Sequence, residues 1–217
     1  MDGFLAEPDE LYAWFRTRPG SQQCASPFAL AMLQWWLWNR WPRRIIEIGA
    51  GIGTCSALIS QYLTLYQDSH ALAVEDDPWC QSQWRENLAE SRCRVLPILC
   101  DKLPAYEWAD FVVLDGPQMP ADGWACLASG ATVFVEGNRR GQREELRAWL
   151  RAQGRAFAET PARPPDRSKG VWIIRCDPGW WERVLFMANR LEQWVRDVPA
   201  RWQGRPVGKR GHAGAAG

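Results

Sequence analysis

Arg44-Ile45-Ile46-Glu47-Ile48-Gly49-Ala50-Gly51-Ile52-Gly53-Thr54 decides how the rest of the chain is read. An apolar, β-prone run breaks into alternating glycines and then continues into Cys55-Ser56-Ala57-Leu58-Ile59-Ser60-Gln61-Tyr62-Leu63, which has the pattern of a helix. A strand, a glycine turn and a helix in that order open a nucleotide-binding α/β unit. The turn needs backbone angles that side chains disfavour, and a Cβ there would hold a ligand away from the main chain. The helix that follows offers free N–H groups and the positive end of its dipole to the loop. A tight strand–helix turn that binds nothing is the simpler alternative.

The rest of the chain supplies the other strands of such a sheet. Ala71-Leu72-Ala73-Val74 is a second strand and runs into Glu75-Asp76-Asp77-Pro78. Glu75 lies about 28 residues beyond Glu47, slightly more than a two-strand nucleotide unit usually shows. A carboxylate at that strand end can accept both hydroxyls of a ribose. Glu75 is the first candidate and Asp76 the second, and Asp77-Pro78 reads as the cap of a helix over Trp79–Glu90. Arg94–Asp101 reads as the third strand. Asp110–Leu114 is the fourth, its apolar run suited to a central parallel strand buried on both faces, and it ends in Asp115-Gly116-Pro117. Trp124–Ser129 reads as a helical segment closed by Gly130, and Ala131–Asn138 as the fifth strand with its exit turn. A helix follows over Arg139–Gly154, with Leu146, Trp149 and Leu150 on one face. Ala156–Thr160 and Gly170–Cys176 read as two closing strands around a polar, proline-rich loop at Pro161–Lys169.

Ahead of this core, Glu7–Thr17 has the spacing of a short helix that Pro19-Gly20-Ser21 ends. Ser26 and Pro27 can cap and start a helix to Asn39, and Trp41-Pro42-Arg43 stops it. That helix carries Phe28, Leu30, Met32, Leu33, Trp35, Trp36, Leu37 and Trp38, so it is apolar nearly all round. Packing on the sheet is the first expectation for it, with a homodimer face or a membrane-surface contact as alternatives. Trp180–Val198 is amphipathic, with Val184, Met187, Leu191, Trp194 and Val195 in a stripe. The expected division is one domain over 1–200: a helical cover at 1–42, a Rossmann-like core at 43–176, a C-terminal helix at 177–200, then a disordered Gly/Ala/Arg-rich tail at 201–217.

Composition narrows the classes. The 217 residues suit a single domain with a substantial core, and a formal net charge of +1 gives no global field toward nucleic acid or membrane. Seven cysteines without a C-x-x-C pair argue against zinc and for a reducing, cytoplasmic setting. The first residues do not read as a signal peptide. The longest apolar run, Phe28–Trp38, contains Gln34 and is too short to span a bilayer. Several of the 15 tryptophans are expected in the core, and some at a pocket or a subunit contact.

The motif as a whole, E-x-G-x-G-x-G from Glu47 to Gly53, differs from the G-x-G-x-x-G of dinucleotide sites. It resembles the first motif of the class I S-adenosylmethionine-dependent methyltransferases, and the resemblance covers roughly Pro27–Cys176. It implies an α/β, Rossmann-like doubly wound, seven-stranded, mostly parallel sheet with an antiparallel last strand, an N-terminal helical extension and a C-terminal helix. The strands read above number seven. The resemblance also implies that S-adenosylmethionine binds over Glu47, Gly49, Ala50, Gly51 and Gly53, with Glu47 near its amino group. Glu75, with Asp76 second, would hold its ribose, and Asp101 and Lys102 its adenine. Asp115 would stand nearest the transferring methyl, as a base or as a group that orients the acceptor.

The resemblance extends to the small-molecule O-methyltransferases that resemble catechol O-methyltransferase, which hold a divalent metal such as Mg²⁺. The matching oxygen donors here would be Asp115, Glu136 and Asn138. Two departures weigh against a metal. The fifth-strand set is Glu-Gly-Asn rather than Asp-Asn, and the family's lysine after the fourth-strand Asp is missing from Gly116-Pro117-Gln118. The alternative for Glu136 and Asn138 is capping of the next helix. The chemistry needs little else from the protein, because the cofactor carries the reactive group. His70 precedes the second strand at the edge away from the site, and His212 lies in the tail, so no histidine is expected to act.

The leading function is methyl transfer to a small-molecule acceptor, at oxygen. The rivals are an NAD-dependent oxidoreductase and an inactive cofactor-binding or protein-contact module. Nucleic-acid and amino-group targets fit poorly, since Asp115-Gly116-Pro117-Gln118 replaces the N/D-P-P-Y/F tetrad of amino-group enzymes and the charge is near neutral.

Overall fold

The computed structural model describes residues 6–89, 93–96, 109–116, 123–164 and 170–190. In chain order the elements are α1 (Pro8–Phe15), α2 (Pro27–Arg40), β1 (Arg44–Ile48), α3 (Thr54–Leu65), β2 (His70–Val74), α4 (Pro78–Asn87), β3 (Arg94–Leu96), β4 (Ala109–Leu114), β5 (Leu127–Glu136), α5 (Arg140–Ala152), β6 (Phe157–Ala162) and β7 (Val171–Cys176). Short 3₁₀ turns stand at Ser21–Gln23 and Gly123–Cys126. Residues 180–190 are helical.

The strands line up in one sheet as β3-β2-β1-β4-β5-β7-β6. β1 pairs in parallel with β2 and β4, β2 with β3, and β4 with β5. β7 runs antiparallel to both β5 and β6. Side chains alternate across a strand, and the two apolar clusters follow that alternation. Ile45, Phe111, Val113 and Phe134 face the cluster built with α1, α2 and α3, while Ile46, Ile48, Val112, Leu114, Val133 and Val135 face the one that takes Leu146 and Leu150 of α5. Both faces are covered, which is why β1 and β4 read as continuous apolar runs. Glu47 falls two residues after Ile45, on the α3 side. Asp110 ties the strand starts together, its carboxylate accepting from the N–H of Arg43 at 3.1 Å and of Arg44 at 3.0 Å.

The helix ends follow their residues. Ser26 Oγ accepts from the Ala29 N–H at 3.1 Å with Pro27 at the first helical position, and Trp41, at φ +48, closes α2. Asp77 caps α4 by accepting from the Cys80 N–H at 2.8 Å. α2 buries Ala29, Leu30, Leu33, Trp36 and Leu37, with Phe28, Met32 and Trp38 partly buried on the same cluster and Trp35 left 53% exposed. Its apolar surface is therefore mainly core, as the first expectation had it. Among the described residues no helix is long and apolar enough to cross a membrane.

Two sequence readings need correction. The helical segment at Trp124–Ser129 is a 3₁₀ turn that ends at Cys126, and β5 already starts at Leu127. Gly130, at φ +74, does not end a helix but sits inside the strand, where the β4–β5 register shifts between Ala109 and Phe111. A glycine within a strand marks such an irregularity as readily as an end. His70 does not precede β2 but is its first residue, paired with Arg44, at the end of the sheet away from the glycine turn.

Candidate active site

The chain leaves β1 toward β2 and β3 on one side, and β4 toward β5 on the other, so the order switches between β1 and β4. Ligands of open α/β sheets bind at that crevice, outside the carboxyl ends of the strands. The two exit turns touch there. A Cβ on Gly49 would lie 1.9 Å from the Gly116 Cα, and Gly49 itself stands at φ +83. A cavity of about 390 Å³ opens beside them, within the size range of small-ligand sites. Its walls include Gly49, Gly51, Glu75, Asp115, Glu136 and Arg139.

Glu47 lies beneath the turn, 1% exposed. Ser56 Oγ donates to its Oε2, and the Trp84 indole N–H donates to Ser56 Oγ at 2.7 Å. Its second oxygen, Oε1, is buried with no hydrogen-bond partner among the described residues. Burial pushes the carboxyl up to about 8; the Ser56 bond works against this, and the charges of Asp115 and Glu75 add to it. A buried, half-satisfied carboxyl is costly unless a cation or donor meets it.

Glu75 continues β2 and is 6% exposed. Its Oε2 accepts from the Gly51 N–H at 2.6 Å and its Oε1 from the Asp77 N–H at 2.9 Å. The carboxylate thus pins the glycine turn to the start of α4. The other donors of the turn are also used inside the protein. Gly49 and Ala50 N–H both reach the Val74 carbonyl, at 2.9 and 3.1 Å, and Gly53 N–H reaches Ala50 O at 2.9 Å.

Asp115, just past β4, has its side chain 14% exposed. Burial pushes its carboxyl up to about 7, the adjacent Glu136 pushes the same way by charge and hydrogen bonding, and Arg139 opposes both. Arg139 Nη2 donates to Asp115 Oδ1 at 2.7 Å and to the Asp115 carbonyl. Its Nη1 donates to Gly116 O at 2.7 Å and its Nε to Glu136 O at 3.0 Å. One guanidinium therefore ties the ends of β4 and β5 together.

Of the residues singled out from sequence, Gly49, Gly51, Glu75, Asp115 and Glu136 line the cavity, and Glu47 sits below it. Ala50 and Gly53 shape the turn but are not among the lining residues, and Asp76 is exposed away from them. Asp101 and Lys102 lie outside the described residues. Asn138 does not face the cavity: its Oδ1 accepts from Arg143 Nη2 at 3.0 Å and its carbonyl from Arg143 Nε at 2.9 Å. Neither Glu136 nor Asn138 caps α5, whose N-cap is Arg139 with no side-chain capping bond. Sequence reasoning missed Arg139 and the stretch Gln22-Gln23-Cys24, which lines the cavity ahead of α2, with Cys80 Sγ donating to Gln23 Oε1 at 3.1 Å. Neither carried a signal of its own: Arg139 follows the strand-end Glu136 by three residues and is one of several arginines in the stretch.

No family model and no curated protein matches this sequence. Solved structures do. An O-methyltransferase from Bacillus cereus in complex with SAH is 15% identical with a TM-score of 0.60, over 79% of this chain and 91% of that one. The O-methyltransferase TomG from Streptomyces achromogenes, involved in tomaymycin synthesis and in complex with SAM, is 17% identical with a TM-score of 0.59, over 81% and 92%. The SAH-bound methyltransferase PaMTH1 from Podospora anserina is 17% identical with a TM-score of 0.58, over 79% and 88%. At these identities the likeness is one of fold: the chain has the Rossmann-like α/β fold that these methyltransferases share.

Proposed function

We propose that this chain is a methyltransferase that uses S-adenosylmethionine and transfers the methyl group to an oxygen of a small molecule. The observation that carries the reading is the charge of the cavity. Glu75, Asp77, Asp115 and Glu136 line it and Glu47 lies beneath it, against Arg139 as the one basic lining residue among those described. Such a ring selects a cationic ligand. The same acidic ring, with the N–H groups of Gly49, Ala50, Gly51 and Gly53 spent inside the protein, suits a pyrophosphate poorly, and this counts against NAD.

The residues fit the cofactor. Glu47 Oε1, buried and unpartnered, suits the ammonium of a methionine moiety. Glu75, at the rim of the turn, suits the ribose hydroxyls, and Asp101 with Lys102 is assigned the adenine. When bound, the cofactor supplies a methyl group made electrophilic by a sulfonium. The protein's own part is binding, orientation and one proton. Asp115 Oδ1 is held by Arg139, its carboxyl also meets that of Glu136, and this pair takes the proton of an acceptor hydroxyl. A carboxyl near 7 is suited to that exchange at neutral pH. An oxygen acceptor also agrees with the O-methyltransferases among the structures of like fold.

Calorimetric titration with S-adenosylmethionine and, separately, NAD⁺ tests the reading. Saturable S-adenosylmethionine binding, weakened at least about tenfold in Glu75→Ala, is expected. Binding of NAD⁺ with none of S-adenosylmethionine would overturn it.

A further inference from the structure

Resemblance to the metal-dependent O-methyltransferases places a divalent cation among Asp115, Glu136 and Asn138, and the side chains do not fit one. Asp115 Oδ1 is already 2.7 Å from Arg139 Nη2. Asn138 gives both of its oxygens to Arg143, whose guanidinium lies 3.7 Å from the centre of the Trp172 ring. Among the described residues no group of three or more His, Cys, Asp or Glu side chains could hold a metal ion. What the ends of β4 and β5 do hold is a guanidinium.

We propose that Arg139 is the resident cation of this site, so that the chain holds its acceptor oxygen beside Asp115 and Glu136 without a divalent metal. The proposal rests on the reading of the cavity as the transfer site. Three main-chain carbonyls, of Asp115, Gly116 and Glu136, fix the guanidinium in place, and Asp115 Oδ1 completes its set. A guanidinium has five N–H groups, and these contacts use four. The remaining Nη1–H belongs to a side chain that lines the cavity and is 29% exposed, and it serves the acceptor oxygen. Arg139 adopts φ +20, ψ +50 at the head of α5, a conformation outside the helix that sends the residue back over the β4 turn. The arginine thus sets one positive charge against the Asp115 carboxylate, where a metal would bring two, and does so with a fixed planar set of donors.

Mn²⁺ and heat denaturation provide the test, and neither needs turnover. Mn²⁺ titrated into the cofactor-free wild-type protein and followed by electron paramagnetic resonance should show no saturable site up to millimolar concentration. Melting of the wild type should move by less than ~1 °C with Mn²⁺, whereas Arg139→Gln, with the carboxylates left uncovered, should gain ~3 °C or more. S-adenosylmethionine affinity of the wild type should agree within about twofold in chelator and in Mg²⁺. A saturable wild-type Mn²⁺ site that Asp115→Asn abolishes would refute the proposal, as would equal Mn²⁺ responses in wild type and Arg139→Gln. If Arg139→Gln does not fold, the wild-type resonance titration decides alone. Failure of S-adenosylmethionine to bind would strike the methyltransferase reading and leave the Mn²⁺ arm to stand or fall by itself.

Discussion

Binding of S-adenosylmethionine should expel protons, and Glu47 should be their main source. Its carboxyl is held up to about 8 in the free protein, so at pH 7 it is roughly nine-tenths protonated. An ammonium at Oε1 would return it to the ordinary carboxylate range and release about 0.9 proton at pH 7. Asp115, pushed up to about 7, adds at most about 0.5 proton more if it also ionises. Affinity should then rise about tenfold per pH unit from roughly pH 5 toward 8 and level off as the cofactor's own amino group begins to titrate. Calorimetry in buffers of different ionisation enthalpy counts the protons directly. Glu47→Gln should cut the count to 0.5 or less and flatten the pH profile. An unchanged count in Glu47→Gln, or no release in the wild type, would show that Glu47 does not meet the ammonium. The same shift has a sign for stability. The folded state binds this proton more tightly than the unfolded one, so the group costs nothing below about pH 4.5. The cost grows as pH rises through the window from 4.5 to about 8, reaching an upper figure of roughly 3–5 kcal/mol. Cofactor-free Glu47→Gln should therefore gain on the wild type in denaturant melts as pH is raised from 5 to 8.

Gly49→Ala should destabilise by about 2 kcal/mol or more, because φ +83 disfavours a side chain and the new Cβ would lie 1.9 Å from Gly116 Cα; a denaturation midpoint equal to the wild type's would contradict the packing of the two turns. Glu75→Gln keeps the shape but weakens the bonds from Gly51 and Asp77 N–H, so S-adenosylmethionine affinity should fall about tenfold with the circular dichroism spectrum unchanged. Trp84→Phe removes the 2.7 Å donor to Ser56 Oγ and should cost about 1 kcal/mol of stability, read from chemical denaturation. Arg147→Gln breaks its two 2.8 Å bonds to Glu159 far from the cavity; it should cost about 1 kcal/mol without changing cofactor affinity.

What could be read from the sequence, and what could not, divides along local and long-range causes. β1, the turn and α3 were legible because each is set by its own residues: a two-face-buried strand is a continuous apolar run, and the turn's positive φ values call for glycine. The caps at Ser26 and Asp77 were legible for the same reason. The start of β5 was not, since Leu127-Ala128-Ser129 has no period of its own and its pairing with Ala109 is made by a neighbour distant in sequence. Arg139 shows the limit most clearly. It stands in a stretch that also holds Arg140, Arg143, Arg147 and Arg151, and composition cannot tell which of them turns inward. The backbone at the head of α5 and three carbonyls from two strand ends make that choice.

A glycine turn followed by an acid at the second strand suits a dinucleotide and S-adenosylmethionine equally well as a string of residues. The two are separated by where the turn's hydrogen bonds go and by the charges that surround it. A dinucleotide site needs free main-chain N–H groups aimed at a pyrophosphate. Here Val74 O takes two of them and Glu75 Oε2 a third. At an effective dielectric of about 20 and an assumed separation of about 6 Å, each pair of unit charges is worth roughly 3 kcal/mol. A doubly negative pyrophosphate set among Glu75, Glu136 and an Asp115 that is about half ionised at neutral pH therefore meets repulsion that one guanidinium, already bound to Asp115, does not offset. A ligand with an ammonium and a sulfonium gains from the same ring. Burial, and after it the neighbouring acids, raise the carboxyls of Glu47 and Asp115 in the free protein, and the ammonium and sulfonium of such a ligand would draw them into ionised form. The raised carboxyls of Glu47 and Asp115 and the proposed preference for a cationic cofactor thus meet in one buried acidic site, and Glu47→Gln should both lower the affinity for S-adenosylmethionine and remove the larger part of the proton release.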